Sequence, residues 1–330
     1  MSSHAPSVSR PSSWPSSIVF VGIALVLAAL PLAAGAGNYF LGLLISALIL
    51  AGISLAWALL GNLGGMVSFG HAAFFGVGSY ASALLSAKLG LPVLLSVPLA
   101  GVIAVGASLL MIPALRLSGP YFALAILAYS QIFRILATEL SWLTGGAAGF
   151  QAIPQLPAVL GLDLASRSGS YVLLVVVVAL CALVYALVRR SLVGTALRAI
   201  ADSEDATRVV GVNSMLLKAW MLALSAFITG VFGALNAHII GFLEPDYAFS
   251  GVWSVLPIIA AIFGGYRTTF GPIGGAVIIY LFDQVVAKSI IAVGHQILLG
   301  FLLAAMILLA PNGLLGLAER FLKGRRDAEA

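Results

Sequence analysis

The sequence predicts an all-α integral membrane protein, and three observations carry that reading. Of its 330 residues, 62% are hydrophobic and only 8% charged, where a soluble domain carries about 25% charged residues. The mean hydropathy is +1.14. Uncharged stretches long enough to cross a bilayer recur along the chain: nothing is charged between Arg10 and Lys88, or from Leu89 to Leu115, Ser168 to Val188, Ala219 to Leu243 and Ser289 to Ala318. No water-soluble surface can be built from this material. In lipid, every backbone N–H and C=O must find a partner within its own segment, which selects helices of roughly 20 apolar residues.

Taken in order, residues 1–16 are rich in Ser and Pro and read as a disordered cytoplasmic tail. Ten apolar windows follow, at 17–36, 39–60, 69–87, 92–114, 120–138, 170–188, 218–239, 249–264, 271–287 and 293–310. The first ends in small residues, Ala33 to Gly37, and has the outline of a signal peptide; at the head of a many-span chain it reads as a retained first helix. The eighth and ninth windows are short and meet at Gly264-Gly265, which predicts a tilted or broken span there. Residues 17–318 thus form one polytopic membrane domain, with a long outer loop at 139–169, a long cytoplasmic loop at 189–217 and a charged cytoplasmic tail at 319–330.

Orientation follows from the basic residues. With the amino terminus inside, twelve of the 16 Lys and Arg residues face the cytoplasm, Lys88, Arg167 and Lys288 face out, and Arg134 lies in a span. The positive-inside rule therefore places both termini in the cytoplasm and accounts for the net charge of +5 without nucleic acid. The single cysteine, Cys181, excludes a disulfide, and the four histidines stand too far apart for a zinc site. No phosphate-binding loop or nucleophile elbow occurs, so the chain reads as no enzyme, and any ATP-driven work must come from another polypeptide.

Three constellations remain as functional candidates. The cytoplasmic loop reads RRSLVGTALRAIADSEDATRVVGVN from Arg189. Ser203 is placed to cap a short helix with Glu204 and Asp205 in its first turn, Arg208 later and Gly211 at its end, in accord with the helix dipole. Its apolar side, Ala206, Val209 and Val210, needs a partner surface, either lipid or protein. The second constellation is the glycine-dense stretch from Gly61 to His71, continuing to Tyr80. It reads as tight packing with a turn, or as a broken helix on which Asn62, Ser68, His71 and Tyr80 line a path. The third is the set of costly polar groups inside spans: Tyr121, Gln131 and Arg134, then Asn236, then Asp283. A structural reading has Arg134 reaching out to Glu139 and Asp283 pairing with Lys288.

These blocks together resemble the permease subunits of the branched-chain amino acid ABC importers, of the LivM type. The resemblance rests on GNLGGMVSFGHAAFFGVGSYASALL from Gly61, LRLSGPYFALAILAYSQIFRIL from Leu115, TGGAAGF from Thr144, the cytoplasmic loop from Arg189, FGGYRTTFGPIGGA from Phe263 and APNGLLGL from Ala310. It implies a permease of about ten spans in the bacterial inner membrane. It further implies a related H-type permease subunit, two cytosolic ATP-binding subunits that hold the ATP and magnesium, and an extracytoplasmic solute-binding protein. The stretch Gly194, Arg198, Ser203 to Arg208 and Gly211 would then meet the ATPase. Members of this group carry branched-chain or other amino acids, urea or short amides, so the cargo stays open, and a secondary transporter or channel is the competing class.

Overall fold

The computed structural model describes residues 37–309 and residue 313, apart from 118, 160, 267 and 291–293; the first predicted window and the charged tail fall outside the described residues. Its helices are α1 (Asn38–Ala58), α2 (His71–Ala87), α3 (Val93–Leu110), α4 (Pro120–Glu139), α5 (Arg167–Arg190), α6 (Leu192–Asp202), α7 (Glu204–Val209), α8 (Ser214–Ile240), α9 (Val252–Gly264), α10 (Gly271–Leu281) and α11 (His295–Leu309). Among the described residues, six helical segments are long and apolar enough to cross a membrane, and shorter apolar helices fill the positions of the last two predicted windows. The chain is an all-α integral membrane protein.

The centre of the bundle is α1, α2 and α8, and small residues make that centre possible. No hydrophobic effect draws helices together in lipid, so close approach supplies the cohesion. A Cβ on Gly78 would stand 2.2 Å from the Gly230 carbonyl oxygen, and one on Gly233 would stand 2.2 Å from that of Phe75. The backbones of α2 and α8 therefore touch. Ser79 fastens the crossing, donating both to Phe75 in its own helix and to Gly233 opposite, at 2.8 and 2.9 Å. Phe232 of α8 fills the notch at Gly52 of α1, where a Cβ would lie 2.0 Å from its ring. Packed outside this centre, α4 is different: only 28% of its apolar window is buried, against 78% for α1 and its continuation.

The outer connection between α4 and α5 is structured. A short helix (Ser141–Thr144), a 3-10 turn (Gly146–Ala148) and a two-residue hairpin of β1 (Ala158–Val159) with antiparallel β2 (Leu162–Asp163) follow one another. Lys88 closes the short helix by donating to the Trp142 and Leu143 carbonyls, and Phe150 exchanges two backbone hydrogen bonds with Leu243. Beneath it, Arg134 turns to Asp246, at 2.7 Å, rather than to Glu139, with Gln131 as its second acceptor. Lys288 donates to Gln284, whose amide donates in turn to Asp283.

Replacing Gly78 or Gly233 by Val should destabilise the bundle by about 2 kcal/mol or more, because the added carbons meet backbone that cannot give way. Gly106→Ala, where a Cβ meets nothing within 4 Å, is the neutral control. Thermal unfolding in detergent reads the difference.

Candidate functional site: an irregular connection, a cavity and a two-helix loop

The glycine-dense stretch is a break in the helical run. Past Ala58, α1 widens into a π turn (Leu59–Leu63), and residues 64–70 run without helical structure before α2 starts at His71. Gly65 takes the turn with a φ of +63°, a conformation L side chains rarely adopt. The break ends deep in the bundle: His71 Nε2 lies 3.0 Å from Ser225 Oγ, and Ser225 sits near the middle of α8. Since Ser225 gives its own hydrogen to the Ala56 carbonyl, it accepts from the imidazole. Trp57 Nε1 donates to the Ser68 carbonyl, and Ser254 Oγ serves both the Phe69 carbonyl and the Ala72 N–H. At the cytoplasmic end, Asn62 donates to the Tyr185 hydroxyl, which donates on to the Tyr266 carbonyl beside the second glycine turn at Gly265.

A cavity of about 810 Å3 opens beside this break. Its walls are the irregular stretch (Gly64 to Val67), the first half of α4 (Phe122, Leu124 and Leu127), and the cytoplasmic residues Asp202, Glu204 and Lys218. Irregular backbone at membrane depth persists only where it is buried in protein or lines a cavity; here it does both. The volume lies within the range of small-molecule sites.

Sequence reasoning singled out polar side chains, and the structure distributes them differently. Ser68 and His71 are fully buried in the bundle and lie outside the cavity lining. Tyr80 stacks on Phe249 and Asn236 accepts from the Tyr247 hydroxyl, so both are engaged by the segment that follows α8. Gln131 belongs to the Arg134–Asp246 group, Asp283 is buried in a separate π turn (Phe282–Ala287), and Tyr121 is 71% exposed on the outside of α4. The lining is mostly apolar and glycine, types that carry no sequence signal of a site; of its polar residues Ser203 and Glu204 belong to the loop the sequence singled out, while Asp202 and Lys218 were missed although their charge could have pointed there.

Two helices form the cytoplasmic loop, where the sequence suggests only the second. Ser191 caps α6, accepting from Gly194 N–H, and Gly194 has no room for a side chain because its Cβ would lie 2.2 Å from the Val188 carbonyl oxygen. Leu197 and Ile200 bury the inner face of α6; Arg198, touching Thr195, stays exposed. Ser203 caps α7, accepting from Ala206 N–H, and Gly211 with φ +86° ends it. Along its outer side Val209 and Val210 are 88% and 79% exposed, with Asp205 and Ala206 beside them.

On its inner side the carboxylate of Glu204 accepts from Arg208 at 2.7 Å, Ser214 at 2.8 Å and Lys218 at 2.5 Å. Burial alone would push this carboxyl up, but the hydrogen bonds from Lys218 and Ser214, with the charges of Lys218 and Arg208, outweigh it and hold it below the ordinary range. A carboxyl held low in the folded state stabilises fully above its unfolded value of about 4.3 and loses that contribution as pH falls through the folded value.

Taken together, a bundle of apolar, membrane-length helices with an irregular, partly buried connection beside a cavity fits a multi-pass membrane permease. By sequence, the chain belongs to the family described as "Branched-chain amino acid transport system / permease component", whose profile matches residues 39–311. It is an integral protein of the inner membrane. Two curated relatives are the high-affinity branched-chain amino acid transport system permease proteins LivM of Escherichia coli (strain K12) and Salmonella typhimurium. They are each 29% identical, over 81% and 79% of this chain and 68% and 66% of their own lengths. No solved structure matches.

Two outcomes are expected at α7, both read from the mobility of a spin label at Ala206→Cys. Ser203→Ala should loosen the helix by about 1 kcal/mol through loss of its cap. Acidification should leave the wild-type helix docked down to about pH 5 and release it below the ordinary carboxylate range.

Proposed function

We propose that the chain is the membrane-spanning permease subunit of an ATP-driven importer, moving amino acids with branched apolar side chains inward. The observation that carries this reading is the position of one cavity between two things: an irregular connection that ends against the middle of α8, and a cytoplasmic helix whose exposed edge is apolar. A path and a handle for an external motor share one wall. Substrate would arrive from an extracytoplasmic solute-binding protein. ATP and magnesium would reside on two cytosolic subunits, and a second, H-type permease subunit would complete the passage.

Physical chemistry supports the docking half of this reading. Val209 and Val210 expose their side chains almost completely on a helix that is itself pinned from behind; exposed apolar groups rimmed by polar ones mark partner surfaces. Arg208, by contrast, is spent on Glu204 and Ser214, which leaves the exposed Asp205, one turn before Val209, as the charge beside the patch. The relatives' names motivate the cargo, and the apolar lining of Phe122, Leu124 and Leu127 suits it.

Val209→Asp together with Val210→Asp should reduce recovery of the cytosolic ATPase on the affinity-purified chain by about tenfold or more, the cost of desolvating charge in an interface core. Insertion in the membrane should be unaffected. Uptake of labelled leucine, isoleucine and valine in the presence of the binding protein, set against urea and a short amide, tests the cargo; ATP-independent uptake would overturn the importer reading.

A further inference from the structure

We propose that Glu204 is a positioning residue that fastens α7 to the foot of α8, so that the two move as one lever hinged at Ser203. This rests on the importer reading only for what pushes the lever. Glu204 is the first residue of α7, yet two of its three donors lie on α8: Ser214 reaches Oε1 at 2.8 Å and Lys218 reaches Oε2 at 2.5 Å. Ser214 and Lys218 are four residues apart, one turn on the same helix face, so the carboxylate spans a full turn of α8. Arg208 closes the ring by donating to Glu204 from Nη2 at 2.7 Å and to Ser214 from Nε at 3.1 Å. The Lys218 side chain is only 13% exposed and that of Glu204 32%; removing either partner would strand a charge largely withdrawn from water.

The neighbouring helix is carried differently. Through the Ser191 corner α6 continues from α5, with Ser191 N–H still bonded to the Leu187 carbonyl, and Ala201 abuts Gly65 in the break. Between α6 and α7 stands Ser203 alone, in extended conformation (φ −158°, ψ 102°). The cavity mouth has Asp202 on one side of this residue and Glu204 with Lys218 on the other, so a change of angle at Ser203 changes the mouth. The lever also reaches the break. Ser225 lies seven residues beyond Lys218 on the same face of α8, roughly 10 Å along the axis, and its hydroxyl joins His71 to Ala56. Displacing α7 therefore moves the residue that anchors the start of α2.

Spin labels test this in the full chain within its complex. A pair at Asp205→Cys and Leu216→Cys reports α7 against α8; a pair at Arg198→Cys and Leu216→Cys reports α6 against α8. The first distance should keep one narrow distribution in both nucleotide-free and ATP-trapped complexes, while the second shifts. A first distance that changes as much as the second overturns the lever. Glu204→Gln and Lys218→Met should broaden the first distance and lower solute imported per ATP hydrolysed by about tenfold, within the usual range of coupling between sites, with Lys218→Arg close to wild type. Normal coupling in an assembled Glu204→Gln complex would also overturn it. Should no ATPase associate with the wild-type chain, the importer reading falls, and the nucleotide-free distances of wild type and Glu204→Gln still decide the latch.

Discussion

A bilayer offers no water to an unpaired amide, and residues 64–70 have to find every partner inside the protein. That demand organises the structure around them. Leu60 accepts from both Gly64 and Met66, the indole of Trp57 donates to the Ser68 carbonyl, and Ser254 bridges the Phe69 carbonyl to the Ala72 amide in the first turn of α2. Two different helices, α1 through Trp57 and α9 through Ser254, thereby commit side chains to seven residues of irregular chain. Such an arrangement costs a bundle packing surface and is tolerated only beside a cavity or within protein. The cavity and the break are thus one feature seen from two sides.

From that centre outward, rigidity declines in steps. Backbone contact at Gly78 and Gly233 makes α2 and α8 nearly a single body. By contrast α4, the least buried of the spanning helices, supplies the far wall of the cavity and touches the break chiefly where Ile126 overlies Gly70. Its outer end is held by an ion pair whose partners are 39% and 80% exposed, and pairs in water contribute little. A wall attached so lightly is the element that can be displaced at least cost, whereas the α2–α8 pair transmits whatever force reaches it.

Most of the architecture was legible because lipid imposes a length and a composition on each span. Window 120–138 and helix 120–139 nearly coincide, and the cap at Ser203 with its acidic first turn follows from local chemistry alone. Helix α6 was not legible as a helix: its apolar residues Leu197 and Ile200 are few, and its start depends on Ser191, which follows directly on the end of a span. The site was read less well than the fold. Polar residues inside spans attract attention because they are costly, but His71 discharges that cost on Ser225 of α8, Asn236 on the Tyr247 hydroxyl and Ser68 on the Gly70 N–H, as internal fastenings. Away from Asp202, Ser203, Glu204 and Lys218, the cavity is lined by apolar groups and glycine indistinguishable in sequence from lipid-facing surface, and only the third dimension separates the two. Likewise Arg134 met Asp246, which is distant along the chain, rather than the nearer Glu139; proximity in sequence does not rank ion-pair partners across a bundle.

The phenol of Tyr185 has one hydrogen to give, and it gives it to the Tyr266 carbonyl while receiving from Asn62. Two glycine turns, 200 residues apart at Gly65 and Gly265, are therefore tied through a single oxygen atom. Neither can be lengthened, shortened or rotated by one residue without unseating the other, so an insertion tolerated in most cytoplasmic turns would here be felt on both sides of the bundle at once.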